Sequence, residues 1–301
     1  MSGSSGADHL EIGIDDRLET AMFSYPVRAG WATADGILAK QGLMPRDIQS
    51  ATLAILDSVA ALTLLDTHVI VRDAAVVWRT ASMLTLVTHT RPDDVERVTV
   101  AINGVSPVGR AIATATLTPF YGIEVASWSE TAVPIDAHHA AVTEGPAALM
   151  PVDGAEATPP RETEDDDENA SEDNITGPYQ EDLGRAWYLL TNKPFVSHLC
   201  VAPRASLVKD PATVLTALTR LHAVRDTGAE RARELRRDLS KDLGIDRETL
   251  VDVLADQTLA LDDDAIDGVA ELAQRTGLGV TRRQLQASSV WLRREGDNTS
   301  Q

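Results

Sequence analysis

Two stretches of the chain carry residue types suited to holding a small acid. Arg79, within Trp78-Arg79-Thr80-Ala81-Ser82-Met83, offers a planar guanidinium that can grip a carboxylate through two parallel hydrogen bonds. Gly104-Val105-Ser106-Pro107 reads as a turn that opens a helix. Backbone amides at a helix start hold an anion whatever the side chains, and Ser106 also suits the ordinary role of helix cap. The other reactive types read differently. Adjacent His138 and His139 lie in a polar stretch with no second pair at ligand spacing, so they read as loop residues rather than metal ligands. His198 and the single cysteine, Cys200, share an apolar run and read as core residues, the thiol structural rather than nucleophilic. The chain has no glycine-rich phosphate motif, nucleophile elbow or zinc pattern.

Such groups need a core to position them. A hydrophobic fraction of 43% over 301 residues supplies one, and with only 4% aromatics it must be mostly Ala, Val, Leu and Ile. That length suits one large domain or two smaller ones. The net charge of −19 is concentrated: residues 162–173 (ETEDDDENASED) hold eight carboxylates and no base. The remaining 38 acids against 27 bases still leave −11. A nucleic-acid partner is not expected, because phosphate contacts need a positive face. The acidic run reads as a solvated loop. No apolar run reaches the roughly 20 residues that cross a bilayer, and the N-terminus lacks a signal-peptide pattern. With one cysteine, these features imply the cytoplasm of a prokaryote and no membrane partner.

Periodicity places strands at 10–14, 50–56, 68–71, 82–88, 97–103, 122–127, 147–151 and 194–201. Helices are expected at 31–41, 59–65, 108–117 and 179–190, then at 211–225, 229–243, 246–254, 262–276 and 281–294. This order predicts parallel sheets with crossover helices, in two α/β units and a helical C-terminus. If 82–88 and 194–201 bridge the units, the result is two lobes with a cleft between them, a favoured place for ligands. A single doubly wound sheet fits the same pattern. The two-lobed reading assigns 10–90 and 200–294 to the first lobe and 91–199 to the second. It leaves an acidic loop at 155–176 and tails at 1–9 and 295–301.

The residues Tyr179, Asp182-Leu183-Gly184, Trp187, Thr191 and Lys193-Pro194-Phe195-Val196 resemble a hallmark of one family. It is the menaquinone-biosynthesis family of the futalosine route, which includes chorismate dehydratase and 1,4-dihydroxy-6-naphthoate synthase. Asn192 stands where that family's turn usually has glycine, a mild change because Asn tolerates a left-handed backbone. Pattern-level similarity extends over residues 10–278. The resemblance implies an α/β, two-lobed periplasmic-binding-protein-like (type II) fold with a helical C-terminus. It also implies a lyase that removes water from chorismate to give 3-[(1-carboxyvinyl)oxy]benzoate, with no metal or organic cofactor.

Carried over by position, the resemblance puts Glu19 where relatives have a functional asparagine, and Ser82 at the serine of a second loop, beside Arg79 and Thr80. Gly104 and Ser106 fall in a third loop, and Asp153 at the acid of a glycine-aspartate-alanine turn closing a strand at 148–155. Glu19 and Ser82 are thus the expected catalytic residues. Arg79, Thr80, Gly104, Ser106 and Asp153 are the expected contacts to a small anionic carboxylate ligand. An ionised Glu19 would repel dianionic chorismate in a low-dielectric cleft. With its pKa raised by burial it becomes a general base; as a bland alternative it pairs with Arg17 or Arg28. The changed motifs leave a second reading open: a homologue that lost this chemistry and binds a different small carboxylate, or acts on another substrate. No histidine can be placed at the catalytic position of the naphthoate-forming sister enzyme.

Overall fold

The computed structural model describes residues 10–79, 82–102, 104–130, 139–151 and 178–292. Thr80, Asp153, His138, the acidic stretch 155–176 and the two tails singled out in the sequence lie outside the described residues. The chain opens with β1 (Ile12–Asp15), α1 (Ala21–Arg28), β2 (Ile37–Lys40), β3 (Leu53–Asp57), α2 (Ser58–Leu62) and β4 (His68–Trp78). It continues with β5 (Leu84–Thr88), β6 (Arg97–Ile102), α3 (Pro107–Tyr121), β7 (Glu124–Ser129), β8 (His139–Glu144), β9 (Tyr179–Asp182) and α4 (Leu183–Thr191). After β10 (Phe195–Pro203) come the helices α5 (Arg204–Lys209), α6 (Pro211–Glu230), α7 (Ala232–Leu243) and α8 (Arg247–Ala255). β11 (Gln257–Thr258), α9 (Asp263–Arg275), α10 (Arg282–Ala287) and β12 (Ser289–Val290) complete it.

Two sheets divide these strands. The first runs β11-β4-β10-β3-β1-β2 with β12 beside β4; the second runs β7-β6-β8-β5-β9. Both are mixed rather than parallel. β1 pairs parallel with β2 and β3, whereas β10 runs antiparallel between β3 and β4. In the second sheet β6 is parallel to β7 and β8, and β5 is antiparallel to β8 and β9. The chain therefore crosses between sheets just before β5 and again between α4 and β10. The 82–88 strand opens the second unit instead of closing the first.

The alternation of side chains explains why the first sheet is covered on both faces. Ile12, Ile14, Leu53 and Ile55 belong to an apolar cluster that continues into the second sheet through Leu86, Val100 and Val142. Ala54, Leu56, Ile70 and Val77 face the opposite way, onto Ile266, Val269 and Ala273 of α9. α9 and α10 thus cover one face of the first sheet, while α6, α7 and α8 contribute Leu221, Leu235 and Leu250 to the cluster on the other.

Several expected elements are corrected. The 31–41 stretch forms β2 rather than a helix, because Gly36 and Gly42 at φ +67° and +66° bracket four residues that extend beside β1. A helix precedes it at α1, where Pro26 had hidden the periodicity. The 147–151 segment is not a strand. A 3₁₀ turn, Gly145–Leu149, lies there, and the strand is β8, which precedes Pro146. Tyr179–Asp182 is a strand, and α4 begins only after Asp182, whose side chain caps it by accepting from Arg185 N–H. The last helix ends at Ala287, and Ser289–Val290 instead pairs with β4. Among the described residues no helix is long and apolar enough to cross a membrane.

The family-like segment has a local explanation. Asn192 takes φ 53° as the C-cap of α4. Trp187 is fully buried and its Nε1–H donates to Pro194 O at 3.2 Å. α9 approaches that carbonyl so closely that a Cβ on Gly268 would sit 2.3 Å from it. The abrupt helix–turn–strand run is the second crossing between the sheets.

Candidate functional site

Parallel strands place their C-terminal ends along one edge of a sheet, and ligands bind outside such edges. β1 and β3 end in Asp15 and Asp57. His198 of β10 lies opposite Asp57 in the antiparallel register. In the second sheet β6 leads through Gly104 (φ +68°) and Ser106 into α3, while β8, parallel to β6, ends at Glu144. These four strand ends face one another. Beside them lies a cavity of about 210 Å³ lined by Arg17 and Glu19 of the loop after β1, Arg28, Gly104, Glu144 and, from α7, Leu239 and Asp242; Asp15, Asp57 and His198 stand behind this lining.

Asp57 joins the two units. Its Oδ1 accepts from Val59 and Ala60 N–H at the start of α2, at 2.9 and 3.1 Å. Its Oδ2 accepts from Val108 N–H at the start of α3, at 2.9 Å. One buried carboxylate therefore neutralises two helix N-termini. Glu144 occupies the same helix start: Ser106 Oγ–H donates to it at 2.6 Å and Ser106 N–H donates as well. Arg17 Nη1 lies 3.4 Å from Glu144 Oε2 and Arg17 Nε 3.4 Å from Asp15 Oδ2. His198 Nε2 is also 3.4 Å from Asp15 Oδ2, and its Nδ1 is 3.1 Å from Ser197 Oγ. Gly42 and Leu43 N–H donate to Asp15 Oδ1 at 2.7 and 3.2 Å.

Proton affinities differ sharply across this cluster. Burial pushes Glu144 up to about 7, reinforced by neighbouring Glu19 and opposed by Ser106 and Arg17. Glu19, only 4% exposed, is likewise raised by burial, against the pull of His198 and Arg17. Burial also raises Asp57, opposed by the Val108 amide and His198. Burial works against Asp15 too, but His198, Arg17 and the Leu43 amide together outweigh it and hold its carboxyl below the ordinary value. The site thus sets carboxyls with raised proton affinity, Glu19 and Glu144, near one whose affinity is lowered, Asp15, a contrast that suits acid–base chemistry.

The expected site residues separate into two groups. Glu19 and Gly104 line the cavity, and Ser106 caps α3 by accepting Gly109 N–H while holding Glu144. Ser82 and Arg79 are elsewhere. Ser82 N–H and Oγ–H donate to Asp182 at 2.9 and 3.0 Å, and Gly184 N–H donates to Ser82 Oγ at 3.2 Å. Arg79 donates through its main chain to Asp256 and through its side chain to Asp262, both at 2.9 Å. Arg28 pairs with Asp16 at 3.1 Å rather than with Glu19. Thr80 and Asp153 fall outside the described residues; β8 ends at Glu144. Asp15, Asp57, Glu144 and His198 are the site residues sequence reasoning did not assign. Cys200 is fully buried and burial pushes its thiol up, in keeping with a structural role.

Two further observations bound the chemistry. Among the described residues no group of three or more His, Cys, Asp or Glu could hold a metal ion. A larger depression of about 560 Å³ lies over α9 and α10, but its charged groups pair with acids of α9: Lys193 with Asp264 at 2.9 Å and Arg282 with Asp267 at 2.5 Å. None of the strand-end carboxylates lines it.

A sequence profile described as Menaquinone biosynthesis matches residues 53–277. The chain belongs to this menaquinone-biosynthesis family. No curated protein matches it. Solved structures share its fold at low identity. Protein AF1704 from Archaeoglobus fulgidus is 15% identical with a TM-score of 0.55, covering 91% of this chain and 99% of that one. The alkanesulfonate-binding protein SsuA from Xanthomonas axonopodis pv. citri, bound to MOPS, is 13% identical with a TM-score of 0.58, covering 96% and 100%. The Candida albicans CA3427 gene product, described as having the generic periplasmic binding protein fold, is 11% identical with a TM-score of 0.54, covering 96% and 98%. The family member described here therefore has the two-lobed periplasmic-binding-protein fold, and the strand-end cavity is its cleft.

Proposed function

We propose that this family member is a carbon–oxygen lyase of the chorismate dehydratase type, acting on a small carboxylate. The observation that carries the reading is the pair of buried carboxyls, Glu19 and Glu144, brought from opposite lobes to one cavity with raised proton affinities. Dehydration of chorismate moves one ring proton to a base and gives one proton to the departing hydroxyl. The ring then becomes aromatic and water leaves. Glu19 is the base, since burial raises its basicity, and Glu144 supplies the proton to the hydroxyl. Arg17 and the start of α3 anchor a substrate carboxylate. Burial of Glu19, only 4% exposed, limits water at the reacting centre.

One observation favours the second reading, a homologue that binds a different small carboxylate without this chemistry. The positive groups beside the cavity are already committed to the protein's own acids: Arg28 to Asp16, Arg17 to Asp15 and Glu144, and the α2 and α3 starts to Asp57 and Glu144. The fold's use in SsuA, solved with MOPS, supports a small anionic ligand under either reading.

Mass spectrometry of chorismate incubated with the purified protein separates the two. Loss of one water by the wild type, abolished in Glu19→Gln, supports the lyase. Binding without turnover supports the second reading.

A further inference from the structure

Glu144 stands where a ligand's carboxylate would stand. Its oxygens receive Ser106 N–H and Oγ–H at the start of α3 and face the Arg17 guanidinium. A helix start plus an arginine is a donor set that proteins use for bound carboxylates. Arg17 also lines the cavity, so the guanidinium that faces Glu144 is within reach of a ligand, while its Nε stays 3.4 Å from Asp15 Oδ2. His198 Nε2, on a side chain 2% exposed, faces Asp15 Oδ2 at 3.4 Å from the other side and keeps that carboxylate in place. Gly145 follows Glu144 at φ +63°, and a Cβ added there would lie 3.8 Å from Glu19 Oε1, so little backbone separates the two carboxyls.

We infer that a ligand carboxylate binds by displacing Glu144 from Ser106 and Arg17, and that Glu144 takes up a proton as it leaves. The inference rests on the small-carboxylate reading of the cleft but not on turnover. Two carboxylates cannot share this donor set in a low-dielectric cleft while both are charged. The groups around Glu144 decide which one loses its charge. Arg17 and Glu19 face it from the loop after β1, and Ser106 from α3. Asp15, Asp57 and His198 stand behind them on β1, β3 and β10. Asp16, Arg28 and Asp242 line the same cavity. Glu144 already holds its proton up to about 7, so it neutralises at little cost near neutral pH.

Calorimetry with chorismate and with benzoate, at pH about 8 in two buffers of different ionisation enthalpy, tests this. The wild type should take up about one proton per ligand bound, and affinity should fall nearly tenfold per pH unit above about 7. Glu144→Gln should lose the proton uptake and flatten that dependence; the wild-type measurement stands alone if this variant does not fold. Proton uptake without loss of water keeps the inference and sinks the lyase reading. Binding with no proton uptake by the wild type overturns the inference even if water is lost. So does failure of both acids to bind between pH about 6 and about 8.

Discussion

Asp182 and Glu144 are both acids at the end of a strand, and both hold a helix start, but they do so under opposite conditions. Asp182 accepts from Ser82 N–H, Ser82 Oγ–H and Arg185 N–H, all neutral donors supplied by its own lobe. Glu144 shares its donors with neighbours: Arg17 also serves Asp15, and Asp57 takes the next amide of the α3 start. Glu19 adds a second buried carboxyl to the same space. The first arrangement fixes the crossing between the lobes. The second leaves protons free to move. Burial raises the proton affinity of Asp182 as well as that of Glu144, so the two regions differ in how the donors are shared and in the second carboxyl beside Glu144.

The comparison breaks hardest at Asp57, which belongs to both worlds because it caps α2 and also holds α3. Asp57→Ala strands three amides and should cost about 4 kcal/mol in urea unfolding. Asp57→Asn, which keeps one acceptor oxygen, should fall between this variant and the wild type.

Next comes the pH dependence of stability. Glu144 has a folded pKa of about 7 against an ordinary 4.5, so the folded chain holds the proton more tightly. Its stabilising contribution is complete below about 4.5 and is lost as pH rises through about 7, at most about 3 kcal/mol. Glu19 acts in the same direction, and Asp15, whose folded value is depressed, in the opposite one. Melting curves across this range should show wild-type stability falling toward neutral pH, and Glu144→Gln should reduce the slope.

At the crossing, the effects should be steric and independent of ligand. A Cβ on Gly184 would meet Ser82 Cβ at 2.4 Å, so Gly184→Ala should cost about 2 kcal/mol in thermal unfolding. Ser82→Ala, which removes one donor from Asp182, should cost about 1 kcal/mol and leave chorismate binding by calorimetry unchanged. A large loss of binding in this variant would return Ser82 to the site and dissolve the distinction between the two regions.

The crossing was readable in the sequence because its determinants are local. An Asp cap, an Asn at the helix end, a Trp and a Pro within sixteen residues dictate helix, turn and strand in order, although the pattern puts the strand Tyr179–Asp182 in the helix as well. The cleft was readable only where its chemistry is local too. Gly104 and Ser106 announce a helix start, and Asp57-Ser58 announces a cap. That Asp57's second oxygen reaches Val108, 51 residues away, depends on how the lobes pack. Meeting Asp15 requires His198 to fall in the register of β10 against β3, along a strand with two register shifts against β4. Glu144 was missed for a simpler reason. Its strand begins at His139 and mixes Ala with Thr, while the apolar 147–151 stretch drew the strand assignment, though Pro146 stops the ladder first.

Glu144, at the end of β8, should exchange its proton near neutral pH. Infrared titration of the carboxyl bands in the wild type and in Glu144→Gln tests it most directly. A carboxyl titrating near 7 in the wild type and missing from the variant is the expected result. Titration of every buried carboxyl at or below the ordinary range would contradict it.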